Sequence, residues 1–350
     1  MLDIFDSLTY IAQLSENVIV DGKTLPHKFF KDLHDIALGL STDGFAPFHR
    51  CKNTCWPLIL FNYNLPPDIH FHLKHILCVA IIPGPKKPVN FNSFLWPLVE
   101  ELLKLEIGVH AYDPLQSELF KLHVYLIRVF GDIPTISMVM WMKGHNGLMP
   151  CCMCHIQGLR VPGSKATTHY VPLDCSHHPQ VQGHSSAIAQ YDPSNLPLRT
   201  HEQFMEQAQE VQTASINADA EWQSKQYGIK GVPLLSYLSS LKFPTSFPYD
   251  FMHLIYENLL KNLISLWTGT FKGLDEGSSL IPKYGKLSLL HLLQQAPLCL
   301  EPSELDLGMS QMTRLHVLPT CGHSGCSTLV PSCSTVNFEG RYTMIISSSW

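Results

Sequence analysis

Four acids and a pair of cysteines are the residues whose types and spacing can do chemistry in this chain. Asp132 closes an apolar run, VYLIRVFGD, and is followed by a Gly/Asn turn and a cysteine cluster ending at Cys154. A carboxylate just past the end of a buried strand is held rigidly yet open to substrate, so Asp132 reads as one of a set of metal-binding acids. Asp43 stands in the same setting, after IALGL and within STDG, where Gly44 can accept a positive φ. In DFMHLIYENLLKNLISLW, Asp250, His253 and Glu257 fall at i, i+3 and i+7, which puts all three on one face of a helix. Cys151 and Cys154 form a C-x₂-C pair within reach of one Zn²⁺; a closed tetrahedral site needs two more ligands, and Cys175, His177 and His178 are the nearest supply. The competing readings are turn capping for the aspartates, a solvated helix position for Glu257 and free thiols for the cysteines.

The elements that must position these groups follow from period and punctuation. Residues 36–40, 56–63 and 75–82 are apolar or aromatic runs cut by Ser-Thr-Asp-Gly, Asn-Leu-Pro-Pro and Pro-Gly-Pro, and read as three strands. From Asn92 the period becomes helical through Phe94, Leu95, Leu98, Leu102 and Leu105, with Asn92 or Ser93 as cap and Pro97 in the first turn. After Gly108 the chain is extended again, through Leu122, Val124, Leu126, Ile127 and Val129 to Asp132. Three strands, a helix and a fourth strand, with acids after the first and fourth, predict an α/β chain that opens as an RNase H-like mixed sheet with flanking helices. In that arrangement the first and fourth strands are neighbours, so Asp43 and Asp132 converge. Residues 160–198 read as a long loop, residues 199–227 as one polar helix with Phe204, Ala208 and Val211 as its apolar stripe, and residues 250–267 as a strong helix. Residues 1–35 are weakly patterned apart from a turn at Asp21-Gly22.

Composition sets the limits. With 350 residues, 45% hydrophobic and 15% charged, the chain can bury a real core in one large domain or two modest ones. A net charge of −5 excludes a global basic field, so nucleic-acid contact must be local, with Lys86, Lys87, Lys143 and His145 as candidates. The absence of an 18-residue apolar run and the acids near the N-terminus predict neither a membrane span nor a secretory segment, and hence an intracellular chain. Eleven cysteines then read as thiols or metal ligands rather than disulfides. His70, His72 and His75 read as surface and strand-start residues.

Seven phrases in one order resemble the transposases of CACTA (En/Spm) type DNA elements: STDGFAPF, CWPLILFNYNLPP, IIPGPKKP, WPLVEELLKLEIGVHAYD, GDIPTISMVMWMKGH, CCMC and YDFMHLIYEN. The resemblance implies an RNase H-like DDE domain over residues 36–277, with a loop and helix insertion at about 151–248, a lead-in at 1–35 and an unassigned tail at 278–350. It implies two Mg²⁺ or Mn²⁺ ions on the acids, DNA strand cleavage and transfer at transposon ends, nuclear localisation, and DNA and a homo-oligomer as partners. Carried over by position, Asp43 is the first acid and Asp132 the second. Relatives commonly carry the third two residues after the Met-His pair, where this chain has Ile255; its nearest acids are Glu257, favoured for its turn-spacing from His253, and Asp250. The resemblance also supports the Cys151–Cys154 pair and a following His178-Pro179 as a Zn²⁺ site. The alternative is a transposon-derived DNA- or protein-binding module without turnover.

Past FKGLDEG the tail departs abruptly from the resemblance, as a frameshift or a read-through intron would produce, and its Cys321, His323 and Cys326 are discounted as ligands for that reason. Translation of the other two frames of the underlying gene should recover transposase-like sequence after Gly277; its absence from both frames would count against a shifted frame.

Overall fold

The structure, a computed structural model, describes residues 4–47, 54–84, 88, 90–144, 147–160, 169–170, 173–182, 190–267, 333–338 and 342–347. In chain order its helices and strands are α1 (Leu8–Gln13), β1 (Asn17–Val20), β2 (Lys23–Lys28), β3 (Ile36–Thr42), β4 (Thr54–Asn62), β5 (Leu77–Gly84), α2 (Phe91–Ile107), β6 (Val109–Asp113), β7 (Glu118–Leu122), β8 (Val124–Phe130), α3 (Ile133–Val139), β9 (Leu159–Arg160), β10 (His169–Tyr170), α4 (His201–Thr213) and α5 (Asn217–Tyr227). A π-helical segment, Met252–Leu260, then leads into α6 (Lys261–Trp267). In the tail, β11 (Cys333–Phe338) and β12 (Tyr342–Ser347) pair as an antiparallel hairpin. Lys86, Lys87, His145, Cys321, His323 and Cys326, singled out above, lie outside the described residues.

The central sheet has the order β5-β4-β3-β8, with β4 antiparallel to both neighbours and β8 parallel to β3. This is the mixed α/β sheet that the order of strands and helix predicts. β3 reads as an unbroken apolar run because both of its faces are covered. Ile36, Leu38 and Leu40 face the main core with Leu126, Val129 and the α2 residues Leu95, Val99 and Leu102. Ala37 points the other way, into a second cluster with Tyr125, Ile127, Val18, Val20 and Phe29. That second face is closed by the β1–β2 hairpin, whose turn is the predicted Asp21-Gly22, both in the left-handed region at φ 49° and 73°.

Several expectations are corrected. α2 starts one turn earlier than its leucine spacing suggests: Asn90 is the cap, accepting the Ser93 N–H, and buried Phe91 anchors the first turn, so Pro97 lies well inside the helix. Between α2 and β8 the chain makes an extra hairpin, β6–β7, which carries much of the extended pattern after Gly108. The single polar helix over 199–227 is two helices, α4 and α5. The predicted stripe of Phe204, Ala208 and Val211 is buried on α4, whereas α5 buries only Ser224. Gly44 does not have a positive φ; glycine is required there because a Cβ would come within 2.5 Å of the Trp56 ring.

One acid is structural. Glu106, in the last turn of α2, is buried beneath the loop that follows Tyr237, where its Oε1 accepts a hydrogen bond from Ser240 Oγ. Burial pushes its carboxyl up to about 8, tempered by the Ser240 hydroxyl and the Ser239 and Ser240 amides. A neutral carboxyl also avoids placing a negative charge at the negative end of the helix dipole. Between the ordinary value of 4.5 and about 8 the folded chain holds a proton that the unfolded chain has lost. The stability this group contributes is therefore full below the first value, falls as pH rises, and levels off above the second. Glu106→Gln should accordingly gain on the wild type from pH 5 to pH 8 in urea midpoint, and a difference independent of pH would contradict a buried, protonated Glu106.

Candidate active site

Main-chain register brings three carboxylates to one end of the sheet. In the parallel β3–β8 pair Ser41 lies opposite Phe130, and the same register continued two residues past the strand ends carries Asp43 towards Asp132. On the far side of β8 the chain returns out of a turn: Val129 N–H donates to Ser246 O at 2.9 Å, and beyond the turn Tyr249 bridges Gly131 in parallel and Asp250 N–H donates to Gly131 O at 3.2 Å. Asp250 therefore follows Tyr249 as Asp132 follows Gly131. The three acids occupy adjacent extended segments, spaced by roughly 4.8 Å in the pairing direction.

Local contacts fix each acid. Asp132 caps α3, its Oδ1 accepting the Thr135 N–H at 2.7 Å, with Pro134 in the first turn of the helix. Gly44 N–H donates to Asp43 Oδ1 at 2.6 Å. Asp250 accepts from the Met252 N–H at 2.8 Å and pairs with His253 Nδ1 at 2.7 Å. Gly131 leaves room for this convergence: a Cβ there would lie 2.9 Å from Thr135 Cγ2 and 3.2 Å from the Thr42 carbonyl oxygen.

The electrostatics register the convergence. The Asp43 carboxyl reaches solvent, yet partial desolvation raises its pKa, and the charges of Asp132 and Asp250 raise it further against the pull of the Gly44 amide and His253. Burial works against a charge on His253, but its hydrogen bond to Asp250 and the charges of Asp250, Glu257 and Asp43 outweigh that cost and raise its pKa. Asp43 is thus acted on by Asp132, Asp250 and His253, and His253 in turn by Asp250 and Asp43. Glu257 acts on His253 and lies exposed on the π-helical segment. Four residues remain close to one turn in the π-helical segment, so Glu257 stays near His253, while Asp250 precedes that segment. Among the described residues no group of three or more His, Cys, Asp and Glu side chains is arranged to hold a metal ion.

The cysteine loop braces this end of the sheet. Cys152 N–H donates to Tyr249 Oη at 3.1 Å, and buried Arg199 spans from the Cys151 carbonyl at 3.3 Å to the Tyr227 carbonyl at 2.9 Å. The Cys154 thiol, hydrogen-bonded to Cys151, draws the Cys151 pKa down to about 6 and rises in turn. Cys154 and Cys175 share a small buried cluster with Ile156, Leu159, Val181 and Tyr191. His178 is committed to backbone, its Nε2 2.8 Å from Arg160 O and its Nδ1 accepting the Gln180 N–H at 3.1 Å. The two sulfurs suit a soft cation; His178, so oriented, does not join them.

A family model described as transposase family tnp2 matches residues 20–212, more than half of the chain. The chain belongs to that family. The match is consistent with the resemblance to CACTA-type transposases. It includes Asp43 and Asp132 and stops short of Asp250, His253 and Glu257. No curated protein matches the chain. No helix among the described residues of this tnp2 transposase is long and apolar enough to cross a membrane.

Sequence reasoning missed the extended segment before Asp250 and the part played by Tyr249. A signal was present: Phe247 precedes a proline, which biases it towards extended backbone. Gly131→Ala should destabilise the fold by roughly 1–3 kcal/mol, since the added methyl has a backbone carbonyl and a packed threonine as neighbours. Unfolding by urea would measure this, and an unchanged midpoint would show that Thr42 and Thr135 do not lie as close to Gly131 as described.

Proposed function

We propose that this transposase-family chain cleaves and joins DNA strands at the ends of a mobile element, with Asp43, Asp132 and Asp250 as its catalytic carboxylates. The observation that carries this reading is the register that lines up the three acids on adjacent extended segments at one end of the sheet. Family membership supports DNA at element ends and target sites as the substrate, and with it a nuclear site of action and a homo-oligomer that holds two ends together.

The donor chemistry fits Mg²⁺ or Mn²⁺, because carboxylate oxygens are hard ligands and the repulsion by Asp132 and Asp250, which adds to desolvation in raising the Asp43 pKa, is what a divalent cation relieves. Asp43, Asp132 and Asp250 would hold two such ions, which when bound stabilise the attacking and leaving oxygens of an in-line displacement at phosphorus. Asp132 has one oxygen tied to Thr135 and the other available. Asp250 is oriented by His253, whose raised pKa keeps it a donor to that carboxylate. Asp250 serves as the third acid better than Glu257, because it acts on Asp43 directly and Glu257 acts on His253. A zinc ion on Cys151 and Cys154 requires ligands other than His178.

Asp43→Ala, Asp132→Ala and Asp250→Ala should each abolish Mg²⁺-dependent nicking of an element-end duplex on a gel, and Glu257→Gln should keep it within about tenfold. Full activity in either of the first two variants would sink the assignment. An equal loss in Glu257→Gln and Asp250→Asn would return the third role to Glu257. Binding of the duplex by the wild type with no cleavage at any Mg²⁺ concentration would instead make the chain a binding module without turnover.

A further inference from the structure

Beside the carboxylates lies a cavity that the cleavage reading does not use. Residues 141–143 and 228–230 run antiparallel as a short clip, with Lys143 N–H donating to Gly228 O and Lys230 N–H to Trp141 O, each at 2.8 Å, and Met142 bridging Ile229. Met142 and Ile229 are buried at the bridge, 1% and 0% exposed, and Met142 also forms part of the wall of the cavity that Trp141, Lys143 and Lys230 line. There the Lys230 ammonium lies 5.5 Å from the centre of the Trp141 ring, and Lys143 Nζ lies 3.0 Å from Glu221 Oε1 at the rim.

Trp141 is held in that position at a cost. Its φ of 56° is in the left-handed region, a rare state for a bulky side chain, and the surrounding structure enforces it through Trp141 N–H to Met138 O at 3.1 Å and Met142 N–H to Ser137 O at 2.8 Å. Trp141, Lys143 and Lys230 line a cavity of about 200 Å³ whose apolar walls include Pro134, Met138 and Phe91. Pro134 stands two residues beyond Asp132, so the cavity begins beside a proposed catalytic carboxylate and follows α3 away from it.

We propose that this cavity receives one unpaired nucleobase of the DNA strand that lies across the carboxylates, stacked on Trp141, with Lys143 and Lys230 holding the phosphates on either side. An aromatic face accepts any base, and the ammonium groups supply the sequence-independent attraction to the backbone. The pocket therefore fixes the register of the strand without reading its sequence. Glu221, which pairs with Lys143 at the rim, is more than half exposed and can yield that lysine to a phosphate.

The inference rests on the reading that the chain handles DNA, and its test is separable from cleavage. Anisotropy titrations of the full chain in EDTA would compare a labelled oligothymidylate with a strand of the same length made of abasic units. Trp141→Ala should weaken oligothymidylate binding about tenfold, as loss of one stacked base does, and leave abasic binding unchanged. Trp141→Phe should retain most of the affinity, whereas Lys143→Ala and Lys230→Ala should weaken both strands. Equal loss on the two strands in Trp141→Ala, or no loss on either, overturns the proposal. Should Trp141→Ala fail to fold, 2-aminopurine within the strand still decides: its fluorescence falls on binding to the wild type if a base stacks in the cavity, and unchanged fluorescence overturns it. Because no metal is present and no cleavage is read, failure of the carboxylate assignment and failure of the base pocket give different results.

Discussion

The parallel pairing of β3 with β8 is the constraint on which the rest depends. Two parallel neighbours cannot be joined by a tight turn, so the chain between them must make a long excursion and return to the same edge. Here that excursion is β4, β5, α2 and the β6–β7 hairpin. It also covers the pair: α2 shields the face bearing Leu38 and Leu126. The opposite face, bearing Ala37 and Tyr125, is left to the β1–β2 hairpin. Only with both faces dry does the register hold, and only the register carries Asp43 towards Asp132.

What was legible in the sequence follows from how local each cause is. β3 and β8 announce themselves as apolar runs because both their faces are buried, and the acids that follow are visible as the first charges after each run. The asparagine and phenylalanine that start α2 are less visible, because the leucine period begins later than the helix does. Gly44 was legible as a required glycine, but its cause is the Trp56 ring lying against it and not backbone sign. A break between α4 and α5 leaves little trace in a stretch that is polar throughout.

The third acid of the proposed site was the least legible, for two physical reasons. Helical spacing ranks Glu257 beside His253, where it does act on that histidine, but spacing says nothing of which acid acts on Asp43. Asp250 owes its place to Tyr249 pairing with Gly131 across a long stretch of chain, and no local pattern carries such a pairing. The cysteine loop, readable only as a ligand pair, also anchors that tyrosine through the Cys152 amide. Sulfur chemistry and sheet geometry thus meet in one short segment.

The extended return before Asp250 has a consequence in genetic terms. The segments that carry Asp43, Asp132 and Asp250 are joined by hydrogen bonds to β8 and by almost nothing adjacent in sequence. An internal deletion between any two of them that removed β8 or the Tyr249 bridge would not trim the site but scatter it. Gene copies that suffer such losses are expected to lose the alignment of all three acids in a single event, with no graded series of weakened intermediates between.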